Sequence, residues 1–112
     1  MRDVFSLSVQ WQIAALVAYR CSKPGCRAFT SGPQEDRHNS ANMGIAAHIT
    51  GASEGDPRYD PSLTTEQRMS AENGVWLCQT CAQLVDSDVT KYTIKVLRRW
   101  KSLAEEIQSD EK

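Results

Sequence analysis

The sequence predicts a small α+β domain, and three observations carry that expectation. Two short apolar segments, 43–49 and 75–77, suit strands; amphipathic stretches at either end suit helices; and four cysteines fall into two close pairs, Cys21-x4-Cys26 and Cys78-x2-Cys81. Helices framing a two-stranded core are an α+β arrangement, and two cysteine hairpins are a way of assembling a tetrahedral all-thiolate metal site. At 112 residues the chain reads as one domain. A chain this small buries a modest core, so a structural metal adds stability that packing alone supplies poorly.

The first element is a helix over 7–19, with Ser8 as its cap and Val9, Ile13, Leu16 and Val17 on one stripe. Trp11, Ala14, Ala15 and Ala18 make its other side apolar as well, so this helix is buried on more than one side or meets a partner, a second copy of the chain included. Cys21-Ser-Lys-Pro-Gly-Cys26 reads as a tight knuckle, with Pro24 fixing one φ and Gly25 permitting another. Residues 30–41 are polar loop, 43–49 a first strand, and 51–63 a loop rich in Gly, Pro and Asp. Thr64 to Gln67 has the form of a capping box opening a short helix to about residue 70. A second strand, 75–77, leads into a helix over 79–86 with Cys81, Leu84 and Val85 turned inward. A last helix runs over about 93–108, with Ile94, Leu97, Trp100, Ala104 and Ile107 on its apolar stripe.

The net charge of −1 excludes a chain that attracts nucleic acid by overall charge. Its distribution is less even. Arg20, Lys23 and Arg27 surround the first cysteine pair, and Lys91, Lys95, Arg98, Arg99 and Lys101 crowd the last helix, where a basic face competes with an ordinary solvated one. Met1-Arg2-Asp3 leads into a mixed segment with no apolar stretch and cleavage site, and nothing approaches a membrane span. A cytoplasmic setting is therefore expected. Reduced thiols there favour zinc over two disulfides for the four cysteines. A redox role for Cys78-x2-Cys81 lacks the βαβ context it requires. Four sulfur ligands close a tetrahedral site with no position left for water, so this zinc is structural.

Two further residues invite chemistry. His48 ends the first strand; it is largely neutral near pH 7 and suited to taking a proton from water, although a histidine in such a place is commonly structural. Asn73 precedes Gly74, which reads either as a hairpin-turn pair or as an amide that holds backbone near His48 and orients its ring.

Cys-x4-Cys, Gly-Ile-Ala-Ala-His-Ile, Asp-Pro-Arg-Tyr-Asp-Pro, Glu-Asn-Gly-Val-Trp-Leu-Cys-Gln-Thr-Cys and Leu-Arg-Arg-Trp-Lys together resemble the HNH endonuclease family, from about Arg20 to Glu105. The likeness is to HNH modules of bacterial antiphage defence proteins, including CBASS effectors in which the nuclease precedes a SAVED sensor domain. The resemblance implies a ββα-metal core over about 43–88 and one catalytic Mg²⁺ or Mn²⁺. It implies a general base at His48 and the middle asparagine of the name at Asn73. It also implies hydrolysis of DNA, duplex DNA above all, with weak sequence preference. It further implies a C-terminal sensor domain or a partner subunit; the charged end of the chain reads as the edge of a longer protein, and pairing through the first helix would set two active sites against opposite strands.

Two positions depart from that pattern. Ala47 stands where many such enzymes carry a ligand before the base, and Ala82 stands where the last histidine of the name is usual. Asp86, one helical turn beyond Ala82, is the replacement ligand expected for the cation, with Asp88 assisting. Arg58 is expected to hold phosphate or to pair with Asp56 or Asp60. Tyr59 packs the loop, Trp76 and Trp100 belong to the core, the 30–33 turn lies near the site, and His38 sits on the surface. The competing expectation is a zinc-stabilised binding module without cleavage, for which Ala47 and Ala82 argue.

Overall fold

The computed structural model describes residues 3–33 and 43–110. His38 and the polar loop from 34 to 41 lie outside them. The described chain is α+β: α1 (Leu7–Ala15), β1 (Gly44–His48), α2 (Thr65–Arg68), a 3-10 turn (Ala71–Asn73), β2 (Gly74–Cys78), α3 (Gln79–Ser87) and α4 (Ile94–Asp110). No helix among these residues is long and apolar enough to cross a membrane.

The centre is an antiparallel pair. Gly44 faces Cys78, Ala46 faces Trp76 and His48 faces Gly74. The unbroken apolar run Val75-Trp76-Leu77 is buried on both faces, as such a run requires. Val75 and Leu77 pack with Ile49, Val85, Tyr92, Leu97 and Trp100 on one side. Trp76 packs with Phe5, Ile13, Ala14, Val17 and Ala104 on the other. β1 answers this bulk with small side chains. A Cβ at Gly44 would stand 2.2 Å from the Trp76 ring, and the Trp76 indole N–H donates to the Thr30 hydroxyl at 2.8 Å.

The first helix differs from expectation at both ends. Its cap is Ser6, whose hydroxyl accepts from the Val9 N–H at 3.2 Å, and Ser8 lies two residues later, inside the helix. It stops at Ala15 because Ala18 and Tyr19 take φ of 50° and 62°. The Ala18 and Tyr19 N–H groups donate to Ala15 and Ala14 carbonyls, the bond pair of a left-handed helix stop. That reversal delivers Cys21, whose N–H then bonds the Ala28 carbonyl. Leu7, Trp11 and Leu16 remain exposed. Leu84 and Ile107, expected inward, are exposed too. Leu84 lies to the side of the buried Cys81, Ala82 and Val85 on α3, and Ile107 lies one turn beyond Ala104, the last buried residue of α4. The remaining elements follow the sequence closely: Thr64 and Gln67 form the reciprocal capping box, and Thr93 accepts from the Val96 N–H at 3.2 Å to open α4.

Gly44→Ala forces its methyl against the Trp76 ring. It is expected to destabilise the protein by about 1–3 kcal/mol, read as a lower midpoint in urea unfolding. An unchanged midpoint would show that the strand pair shifts freely.

Candidate functional site

The four cysteines meet at one point. Their sulfurs all lie within 4.8 Å of one another, and Cys26 Sγ and Cys78 Sγ are 3.9 Å apart. Thiolates about 2.3 Å from a tetrahedral zinc stand about 3.8 Å from each other, so the group fits that ion. Two local devices aim the sulfurs. In the first knuckle Gly25 takes φ +87° and the Cys26 N–H closes the turn on the Lys23 carbonyl at 3.0 Å. In the second, Cys78 ends β2 and caps α3, its sulfur accepting the Cys81 N–H at 3.4 Å. Burial pushes the Cys21 thiol up to about 11 and the Cys81 thiol higher still. For Cys26 burial also acts upward, but N–H and S–H donors around it outweigh burial and its pKa falls. Four sulfurs so close resist joint ionisation, and a divalent cation reverses that resistance.

A second feature lies beside the β1–α3 junction: a cavity of about 680 Å³ whose lining includes Ala47, His48, Asp56, Arg58, Ala82 and Asp86. His48 is held there by the N-terminal segment. Its Nε2 lies 2.8 Å from the Asp3 carbonyl, and its ring stacks on Phe5 with centroids 4.0 Å apart and planes 8° from parallel. A carbonyl only accepts, so Nε2 carries a proton and donates it to Asp3.

Asp3 is itself fixed. Its N–H donates to Ala52 at 2.7 Å, and its carboxylate pairs with Arg68 at 3.1 Å. Arg68 is buried, donates to the Asp60 and Leu63 carbonyls at 3.2 and 2.6 Å, and lies 4.4 Å over the Tyr59 ring. Asp3, Phe5 and Arg68 are the supports of His48 that sequence reasoning missed, since nothing local marks a residue 45 positions away as a partner.

Asn73 is buried at the end of the 3-10 turn, and no hairpin turn forms there. Its Oδ1 accepts the Thr50 N–H and hydroxyl at 3.0 and 3.1 Å. Its Nδ2 donates to the Thr50 and Arg68 carbonyls at 3.2 and 3.1 Å, and its own carbonyl accepts from Ile49 at 2.8 Å. The amide therefore locks the backbone immediately after His48. Arg58 Nε and Nη2 donate to the Tyr92 and Val85 carbonyls at 2.6 and 2.7 Å, tying the 51–63 loop to the end of α3.

Asp86 is exposed on α3 and lines the cavity with His48. Asp88 is not brought to it. Its carboxylate accepts from Thr90 and Lys91 in the turn before α4 at 2.9 and 3.1 Å, and the Thr90 hydroxyl, then the Lys91 N–H, hold its carboxyl below the usual aspartate range. Among the described residues the four cysteines are the one group of three or more His, Cys, Asp or Glu side chains placed to hold a metal ion. No protein-family model matches the chain, and no curated protein matches it.

Two outcomes are expected. Purified protein carries one zinc per chain by elemental analysis, and Cys81→Ser loses both the zinc and the far-ultraviolet dichroism of the folded state, because metal binding and folding are one equilibrium in such sites; a folded, zinc-free variant would refute this. Asn73→Ala leaves buried groups at Thr50 and Arg68 unpartnered and lowers stability by about 1–3 kcal/mol or more, measured by chemical denaturation.

Proposed function

We propose that this chain is a metal-dependent endonuclease of the HNH type that hydrolyses duplex DNA. The observation that carries the reading is His48 and Asp86 lining one open cavity, on a strand pair that runs directly into a helix. The resemblance in sequence supplies the rest, including a role as an effector in antiphage defence, switched on by a sensor domain or partner.

In this reading His48 takes a proton from water, and the Asp3 carbonyl and the Phe5 ring hold the imidazole in place for it. Asn73 keeps the backbone beside His48 in place. Arg58 braces the cavity wall, and its remaining nitrogen, Nη1, is the one a phosphate would meet. Asp86 would hold Mg²⁺ or Mn²⁺; such ions are commonly bound by one or two carboxylates, waters and substrate phosphate. When bound, the cation stabilises charge on the phosphoryl group and the departing 3′ oxygen. The four-cysteine zinc would act from outside, by fixing α3 and the end of β2 against the 21–26 knuckle.

A second reading has its own observation. Ala47 and Ala82 both line the cavity, and neither can bind a cation. A zinc-stabilised nucleic-acid-binding or protein-interaction module would tolerate both.

Plasmid cleavage by the full chain in Mg²⁺, in Mn²⁺ and in their absence separates the two. The nuclease reading expects metal-dependent nicking or linearisation, slowed by about 100-fold or more in His48→Ala and comparably in Asp86→Ala. Loss in His48→Ala alone moves the cation to other ligands. No cleavage in any metal by folded, zinc-loaded protein favours the binding module.

A further inference from the structure

The start of α4 carries charges that the stability of the helix does not explain. Residues 89–104 hold Lys91, Lys95, Arg98, Arg99 and Lys101, five of the chain's 13 lysines and arginines, and no acid. The acids Glu105, Glu106 and Asp110 follow in the second half of the same helix. A helix carries positive partial charge at its N-terminus and negative at its C-terminus, felt within its end turns, so Lys95 in the first turn and Asp110 in the last each stand at the end that disfavours them. The first turn contains no acid.

These cations are not all committed within the fold. Lys101 is, since its ammonium meets Glu105 at 2.8 Å. Lys91, Lys95, Arg98 and Arg99 are exposed. Helical spacing puts Lys95, Arg98 and Arg99 on one side of α4, opposite Leu97, Trp100 and Ala104, which are buried. Lys91 lies over the Tyr92 ring at 5.4 Å with its ammonium exposed. Among the described residues, Asp60 and Glu72 are acids near the Arg98 end of this stripe: Ser62 holds the Asp60 carboxyl low first, with the charges of Arg98 and Arg68 adding to that, and Glu72 lines a shallow pocket with Arg98. The stripe starts two residues beyond Val89, which lines the cavity of His48 and Asp86.

We infer that Lys91, Lys95, Arg98 and Arg99 form a docking surface for the phosphate backbone of duplex DNA, continuous in the chain with the wall of the cavity. The inference deepens the nuclease reading by assigning it a means of holding substrate. Charge complementarity favours a polyanion, and the helix N-terminus adds to the same field. The stripe has no exposed apolar side chain between its cations to enter a lipid surface, Val96 and Leu97 being half-buried and buried.

The test is binding of a fluorescent 20-base-pair duplex to the full chain carrying His48→Ala, without added Mg²⁺ or Mn²⁺, over a series of salt concentrations. Each phosphate contact contributes about 0.9 to the slope of log affinity against log salt. Lys95→Ala/Arg99→Ala is expected to flatten that slope by about two and to weaken binding about tenfold or more at low salt, whereas Lys101→Ala changes little. Lys95→Glu gives a readout of opposite sign: it weakens DNA binding while holding or raising the thermal midpoint, because it places an acid in the first turn. Unchanged affinity and slope in the double variant overturn the proposal, as does absence of duplex binding at low salt or a preference for vesicles of anionic lipid. Cleavage without the slope change removes the docking surface alone. The slope change without cleavage in any metal removes the nuclease alone.

Discussion

The meeting of four sulfurs is the constraint on which the remainder of this structure rests. Cys26 and Cys78 are 52 residues apart in sequence and their sulfurs 3.9 Å apart in space. Cys21 and Cys81 are buried in the same cluster as Val75, Leu77, Leu97 and Trp100. Four thiols brought together in this way are mutually unfavourable as anions, and partly buried as they are they gain little from water. A divalent cation bound there would turn that liability into an attraction. Because Cys78 is both the last residue of β2 and the cap of α3, such an ion would also brace the angle at which α3 leaves the sheet, and with it where Ala82 and Asp86 stand.

Polar contacts do at the Gly74 end of β2 what the sulfurs do at its Cys78 end. The connection from Ile49 to Asn73 has little regular structure, and two buried side chains order it. Arg68 reaches back to Asp3 and to two carbonyls of the loop. Asn73 satisfies the backbone at Thr50 from both sides of its amide. A buried polar group left without a partner costs more than an average hydrogen bond contributes, so each of these residues demands its surroundings as much as it supports them. His48 inherits its fixed ring from this network through the carbonyl of Asp3.

Features with local causes were legible in the sequence. The cysteine pairs announced a convergence of four sulfurs able to hold an ion, the apolar run at Val75 to Leu77 announced a strand, and Thr64 with Gln67 announced a capping box. Features with distant causes were not. Nothing in Leu16-Val17-Ala18-Tyr19 marks a helix stop; without glycine, the left-handed turn there is imposed by the need to bring Cys21 to the knuckle. The outward lie of Leu84 and Ile107 depends on which helix positions the rest of the fold covers, which helical spacing alone does not fix. The candidate site divided along the same line. His48, Asp86 and the alanines at 47 and 82 were visible as residues, and their sharing of one cavity was not.

The two cysteine hairpins also bear on the order in which the chain can assemble. Each pair is local, separated by a turn in one case and by the first turn of a helix in the other. An ion caught by either pair already has two of its four ligands, before any long-range contact exists. Closing a loop of some fifty residues carries an entropy penalty that grows slowly with length, and a captured ion changes what that closure must find. The search is then for a second hairpin by a cation already tethered to the first, a target of two convergent sulfurs in place of a whole apolar surface.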